Sequence, residues 1–178
     1  MIELPERLSG TILDLSPLLP SDEQALTEAA SDPLIWAGHP AIERYKPQVF
    51  APYFSTLLSL GGTLVARDKA GQVIGCSRYY DPPDAPGEVA IGYTFLVRAH
   101  WGGAANGQMK RLMLEHAFVQ VSEVWLHIDP VNIRSQKATA RIGAEHAGTG
   151  PLLMAGKSAL RQSWRIRWAD WRARVEER

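Results

Sequence analysis

The chain has 178 residues and a formal net charge of zero, and 46% of its residues are hydrophobic. This length and composition predict a single globular domain over residues 1–178, and the balanced charge argues against nucleic acid or a membrane as partner. One cysteine, Cys76, excludes an internal disulfide framework, and the sequence shows neither a secretory signal pattern nor an apolar run of the roughly 20 residues that span a membrane. We therefore expect a cytoplasmic protein.

The first half of the chain predicts a strand, two helices and a β-hairpin. Ser21, with Gln24 three residues later, is typical of a helix N-terminus, and the proline- and aromatic-rich stretch that follows this helix is typical of a loop. The expected elements are a strand over 10–17, a helix from Ser21 to before Asp32, a loop over 33–52, a helix over 52–60, and a hairpin of strands 63–67 and 72–80.

The second half alternates strands and helices. Asn132 is a good N-cap for a helix that Gly143 ends. The expected elements are a proline-rich loop over 81–87, a long strand over 88–97, a helix over 104–119, a strand over 121–128, a helix over 132–142, an alternating strand over 158–168 and a helical tail over 169–178. This order predicts an α/β fold, a mixed central sheet of about seven strands with helices on both faces.

A glycine-rich turn lies between the long strand and the helix after it. The strand ends at Val97, the turn Trp101–Ala105 follows, and the helical pattern starts at once. Small side chains let a backbone approach a phosphate, and the unpaired amides at a helix N-terminus point toward it. The turn therefore predicts a phosphorylated cofactor.

Three motifs stand in an order and at separations that resemble one family. They are the turn Gly102–Ala104 after the strand 91–97, the segment Asn132–Ala138 with Gly143 after it, and the final SWRIRWADW over 163–171. Together they resemble the GNAT-fold N-acetyltransferases, and within them a subgroup similar to the ribosomal-protein N-terminal acetyltransferases RimJ and RimL. The resemblance spans roughly residues 10–175 and implies one GNAT domain over the chain.

The resemblance implies acetyl-CoA as the acetyl donor and no metal. The diphosphate is expected on the turn, the pantetheine along the strand before it and on Asn132. The cofactor-binding residues implied are Leu96, Val97, Arg98, Gly102, Gly103, Ala104, Ala105, Asn106, Asn132 and Ser135. Lys110, one helical turn after Asn106, either reaches a phosphate or belongs to a solvated or structural pair.

Catalysis by direct transfer needs a base for the amine, an oxyanion donor and a donor to the leaving thiolate. The resemblance implies Ser135 as the thiolate donor and a backbone N–H within 91–93 as the oxyanion donor. Glu88 is the candidate general base. Its rivals are Asp81, Asp84 and His127, although we expect His127 to be a surface residue.

The acceptor is expected to be a primary amine that enters over residues 33–52, 81–87 and 145–157. Both a protein N-terminus and a small-molecule amine fit, and so do a monomer and a homodimer. The alternative is a non-catalytic acyl-CoA-binding module that senses the cofactor or acts as a scaffold. We expect the row of arginines at 161, 165 and 167 to be a solvated, salt-bridged face, and Cys76 to be a buried apolar residue.

Overall fold

A computed structural model describes residues 2–154 and 156–176 of the chain. Within these residues eight strands form one mixed sheet in the order β1-β2-β3-β4-β5-β6-β8-β7. The strands are β1 Leu8–Ser9, β2 Leu13–Pro17, β3 Thr63–Asp68, β4 Val73–Tyr80, β5 Val89–Leu96, β6 Glu123–Ile128, β7 Glu145–Met154 and β8 Lys157–Arg167. The prediction of a mixed sheet of about seven strands is confirmed.

Six α-helices accompany the strands in the described residues. They are α1 Glu23–Ala30, α2 Pro33–Trp36, α3 Pro47–Leu60, α4 Ala105–Ala117, α5 Ile133–Arg141 and α6 Trp168–Glu176. None of these helices has the length and apolar character that crossing a bilayer requires.

Two predicted helix starts are wrong. Helix α3 begins at Pro47, with Pro52 inside it; a proline fits the first helical turn because its missing N–H would have no partner there. At α1 the N-cap residue is Asp22, because Ser21 lies in a 3₁₀ turn over Pro20–Asp22. The predicted loop over 33–52 therefore contains the short helix α2 and the first turn of α3.

The chain forms two compact units. The first contains Glu3–Arg78 and Tyr93–Met113, and the second contains Tyr79–Gly92 and the segment from Leu114 onward, with Ile2. The prediction of one domain over the whole chain stays a prediction.

An apolar cluster forms the core of the first unit. Its residues come from the helices α1 to α3 and from the strands β3 to β5, and are Leu26, Ala29, Ala30, Ile35, Trp36, Phe50, Phe54, Leu57, Val65, Cys76 and Phe95. Gly75 in β4 permits a close backbone approach, since a Cβ placed there would lie 2.1 Å from the Phe95 carbonyl oxygen. Cys76 is fully buried, as predicted.

In the second unit β6 pairs in parallel with the start of β5 and antiparallel with β8, whose other neighbour is β7. The predicted row of arginines is ion-paired. Arg161 contacts Asp129 at 2.8 Å, and Arg165 lies 3.5 Å from both Glu123 and Glu145. These contacts confirm that the row is a salt-bridged face.

Candidate active site

The glycine turn in the first unit has an open backbone. Residues 101–104 are exposed, and Gly102 has a φ of +71°, a conformation that favours glycine. A Cβ added at Gly102 or Gly103 would meet no atom within 4 Å. The Gln108 amide donates to the Ala104 carbonyl at 2.8 Å, so the amides of Ala105 and its next neighbours precede the helical ladder. This geometry is suited to an anion.

The end of β5 is fixed to the turn and to β4. The Trp101 indole N–H donates to the Leu96 carbonyl at 2.8 Å, and the Val97 amide donates to the Ile74 carbonyl at 2.8 Å. Both groups belong to the residues predicted to pair with pantetheine. Any pairing there has to share these groups or use the other backbone groups of Leu96 and Val97.

Arg98 begins the segment that leads into the turn, and its Nε donates to the Asp32 carboxylate. Arg98 is the main cause that lowers the pKa of Asp32. Asp32 also caps α2, because its side chain accepts from the Leu34 amide at 2.9 Å. The guanidinium predicted to bind the cofactor is thus anchored in the first unit.

Lys110 in α4 is buried rather than solvated. Its Nζ donates to Thr94 Oγ1 at 2.7 Å and to Ser77 Oγ at 3.1 Å. Burial lowers the pKa of the ammonium to about 7. This buried contact with two hydroxyl groups excludes the solvated interpretation and leaves the structural one.

Strand β5 is irregular at Tyr93, which has a φ of +53°. Left-handed backbone is uncommon for a residue with a Cβ, and it marks a break in the alternation of the strand. Ala90 and Gly92, which precede it in the strand, have small side chains or none. The irregular backbone lies in the stretch where the oxyanion donor is expected.

Asn132 and Ser135 lie at the start of α5 in the second unit. The Asn132 Oδ1 accepts from the Ser135 amide at 3.1 Å, which confirms the predicted N-cap. Among the described residues the Ser135 hydroxyl forms no side-chain hydrogen bond and keeps its donor for another partner. The resemblance implied that this hydroxyl donates a hydrogen bond to the departing thiolate.

Glu88, the predicted base, precedes β5. One carboxylate oxygen accepts from the Ser122 hydroxyl at 2.9 Å and the other from the Glu123 amide at 2.8 Å. These contacts fasten the start of β5 to the start of β6. The role of Glu88 as a base stays a prediction.

His127 is wrongly predicted as a surface residue, since its side chain is fully buried. Nδ1 lies 2.8 Å from the Tyr80 hydroxyl, and Nε2 lies 3.0 Å from the Asp84 carboxylate. Burial lowers the pKa of the imidazole, and Asp84 opposes that shift in part. The sequence named His127 and Asp84 as rival bases but missed Tyr80.

A pocket of about 320 Å³ opens in the second unit. Its lining contains Asp84 from the 81–87 loop, Trp125 from β6, Ser163 from β8 and residues 147–152 of β7. Two of the three segments predicted to receive the acceptor therefore contribute to it. Segment 145–157 was unassigned in the sequence; as far as Met154 it is strand β7, and Ala155 lies outside the described residues.

The chain matches a family model described as "Acetyltransferase (GNAT) domain" over residues 13–145. The chain belongs to the GNAT acetyltransferase family. It is therefore an acyltransferase of a fold that works with acetyl-CoA. A search of curated proteins gives no match to this GNAT acetyltransferase.

Solved structures share the fold at low sequence identity. A probable acetyltransferase of the GNAT family from Chromobacterium violaceum has a TM-score of 0.81 at 20% identity, covering 96% of this chain and 90% of its own. A GCN5-related N-acetyltransferase from Brucella melitensis has a TM-score of 0.79 at 17% identity, covering 94% and 80%. Mycobacterium smegmatis RimJ in complex with CoA-disulfide has a TM-score of 0.64 at 18% identity, covering 88% and 82%. At these identities the likeness shows the GNAT fold.

Proposed function

We propose that this GNAT acetyltransferase moves acetyl from acetyl-CoA directly to a primary amine, as a member of the RimJ/RimL-like subgroup. The observation that carries the proposal is the open glycine turn at the start of α4, in a chain whose family uses acetyl-CoA. Family membership favours this enzyme over the non-catalytic binding module. The likeness to Mycobacterium smegmatis RimJ, whose structure is a complex with CoA-disulfide, supports the cofactor and the subgroup.

The turn is proposed to bind the cofactor diphosphate. The amides near Ala104 and Ala105 begin a helix of 13 residues, whose dipole adds partial positive charge at this end. Among the described residues, no atom lies within 4 Å of a Cβ added at Gly102 or Gly103. Asn106 in the first turn of the helix and Arg98 before the turn are proposed as further contacts, with Arg98 already oriented by Asp32.

In the second unit Asn132 is proposed to hold the pantetheine and Ser135 to donate to the departing sulfur. The side-chain Oδ1 of Asn132 accepts from the Ser135 amide, and among the described residues its side-chain nitrogen donates to no partner. A thiol has an ordinary pKa near about 8.5, so departure at neutral pH gains from a hydroxyl donor. Glu88 is proposed as the base that the sequence favours.

The pocket beside Asp84 is proposed to receive the acceptor. The Asp84 carboxylate at its wall attracts the alkylammonium ion of an acceptor as it enters, and the backbone of residues 147–152 offers hydrogen-bonding groups to a chain that lies along it. Both a protein N-terminus and a small amine present the required ammonium group.

Isothermal titration with acetyl-CoA and CoA tests the cofactor site, using Gly103→Asp and the isosteric control Gly103→Asn. Both side chains enter open space, but only aspartate places a negative charge on the turn. At about 5 Å from a phosphate charge, with an effective dielectric constant near 20, the repulsion is about 3 kcal/mol. We expect Gly103→Asp to weaken binding about 10- to 100-fold relative to Gly103→Asn. Equal affinities for both variants, or no binding by the wild type, contradict the proposal.

A further inference from the structure

Three side chains of the second unit form a continuous hydrogen-bonded chain. The Tyr80 hydroxyl contacts His127 Nδ1 at 2.8 Å, and His127 Nε2 contacts Asp84 Oδ1 at 3.0 Å. An ionised carboxylate only accepts, so Nε2 carries the proton that it donates to Asp84. In the neutral imidazole Nδ1 is then an acceptor, and the Tyr80 hydroxyl donates to it.

Tyr80, at the inner end of this hydrogen-bonded series, lies against β5. A Cβ added at Gly92 would lie 2.9 Å from Tyr80 Cε1 and 3.4 Å from its hydroxyl oxygen. Gly92 therefore admits the Tyr80 ring, and the next residue along the strand is the left-handed Tyr93. The Tyr80 hydroxyl thus lies beside Gly92, within the stretch of β5 where the resemblance implies the oxyanion donor.

The outer end reaches the pocket. Asp84 lines it, is 29% exposed, and accepts a second hydrogen bond from the Ser163 hydroxyl at 3.0 Å. His127 between the two ends is fully buried. The hydrogen bonds from Tyr80 through His127 to Asp84 therefore link a nearly buried hydroxyl beside β5 to a carboxylate in contact with solvent.

We propose that Tyr80, His127 and Asp84 form a proton relay that accepts a proton from the acceptor ammonium at Tyr80 and passes it outward to Asp84. The inference rests on the proposed function, but the relay takes the place of Glu88 as the group that accepts the proton of the amine. Tyr80 is the catalytic residue, and His127 and Asp84 act through it.

Each proton and bond in the relay is accounted for. The ammonium N–H bond breaks and the proton joins the Tyr80 oxygen, while the proton of Tyr80 moves to His127 Nδ1. The amine lone pair attacks the thioester carbonyl, the C–N bond forms and the C–S bond breaks. The second amine proton goes to the thiolate. The imidazolium releases its Nε2 proton to Asp84 and from there to water. After the product leaves, uptake of a proton at Nε2 through Asp84 and loss of the Nδ1 proton through Tyr80 to solvent restore the starting tautomer.

The charges and the burial around His127 leave its imidazole neutral and able to accept a proton. Asp84 from the 81–87 loop favours the charged imidazole, and Arg161 from β8, paired with Asp129, disfavours it. Tyr80 from β4 faces Nδ1. Burial outweighs the carboxylate and holds the pKa of His127 below its ordinary value, so the imidazole is neutral at pH 7.

The test compares kcat against pH for the wild type, Tyr80→Phe, His127→Gln and Asp84→Asn, with Ser59→Ala, at an exposed position of α3, as control. Acetyl-CoA is the donor, and the acceptors are unblocked peptides, free amino acids and spermidine. Wild-type kcat should fall with acid through an apparent pKa below 6.5, the ordinary value for histidine. In Tyr80→Phe and His127→Gln, kcat should be about 100-fold lower, since general-base catalysis is worth about 10²- to 10⁴-fold. The pH profiles of both variants should lack the acidic limb in which wild-type kcat falls.

Asp84→Asn should move the acidic limb to lower pH, because Asp84 raises the pKa of His127. Ser59→Ala should keep both the wild-type kcat and the wild-type pH profile. CoA affinity measured by titration calorimetry shows that each variant is folded, and the ¹⁵N shifts of the His127 imidazole should show Nε2 protonated in the wild type.

Wild-type transfer with unchanged kcat and pH profile in Tyr80→Phe and His127→Gln overturns the relay alone and leaves the proposed function standing. If Glu88→Gln instead abolishes the acidic limb, the base is Glu88 and the relay is overturned. If the wild type transfers acetyl to none of the acceptors, both the relay and the proposed function are overturned.

Discussion

Replacing Lys110 by methionine should remove a pH dependence from the stability of the protein. The Lys110 ammonium is buried, its two partners are the hydroxyls of Ser77 and Thr94, and its pKa is lowered from 10.5 to about 7 by burial. The unfolded chain therefore binds more protons than the folded one between these values. Stability contributed by this group is complete above pH 10.5 and is lost as the pH falls through about 7.

The size of the effect follows from the shift. Each pKa unit corresponds to about 1.4 kcal/mol, so the full shift corresponds to about 5 kcal/mol. Between about pH 7 and pH 9, where the folded lysine is still losing its proton, the wild type should gain about 2 kcal/mol. The window avoids His127, whose lowered pKa acts at more acid pH, and Cys76, whose raised pKa acts at more alkaline pH.

Urea denaturation at several pH values in this window measures the effect. Lys110→Met keeps the length of the side chain without the charge, and Ser77 and Thr94 retain their mutual contact at 2.7 Å. Its free energy of unfolding should be nearly constant, as wild-type stability rises. Lys137→Met, on an exposed position of α5, should keep the wild-type slope. An equal slope in wild type and Lys110→Met would refute the assignment of this titration to Lys110.

Three further outcomes are expected. Gly75→Ala should destabilise by about 3 kcal/mol or more, because its Cβ would overlap the Phe95 carbonyl; Gly71→Ala, whose Cβ meets nothing, should cost only about 1–2 kcal/mol, and similar urea midpoints for both would contradict the close approach. Asn132→Ser should keep the helix cap but lose CoA affinity, whereas Asn132→Ala should also lose about 1 kcal/mol of stability; unchanged CoA affinity in both would exclude the proposed contact. Cys76 should not react with DTNB until the protein unfolds, because burial raises the pKa of its thiol to about 12; rapid labelling of the native protein would contradict this.

Local patterns in the sequence predicted most of the fold. Alternation and turn residues located the hairpin of β3 and β4, and Asn132 with Gly143 bounded α5, because these signals act over a few residues. The predicted number of strands includes one before 158–168, but its bounds were not predicted, since the segment of β7 contains Gly148, Gly150 and Pro151, which are depleted in strands. Packing of α3 against the core of the first unit stabilises this helix although it contains Pro52. No local rule predicts such packing.

The candidate site was predictable where it depends on one segment. The open turn at Gly102 and Gly103 is such a case. The contact between Tyr80 and His127 joins residues 47 positions apart, and no local pattern identifies such a pair. Lys110 did carry a signal: it shares a helical face with Met113, which is buried, and this position predicts a buried ammonium.

Transfer of acetyl from acetyl-CoA to a primary amine is tested most directly by following the release of the CoA thiol by wild-type protein, with and without an added primary amine. The mass of the amine product is measured in the same reactions. Cys76 should not interfere with thiol detection, because it is fully buried. We expect amine-dependent release of CoA and one added acetyl group on the amine. Thiol release that no amine accelerates, with every amine recovered unmodified, would contradict this expectation.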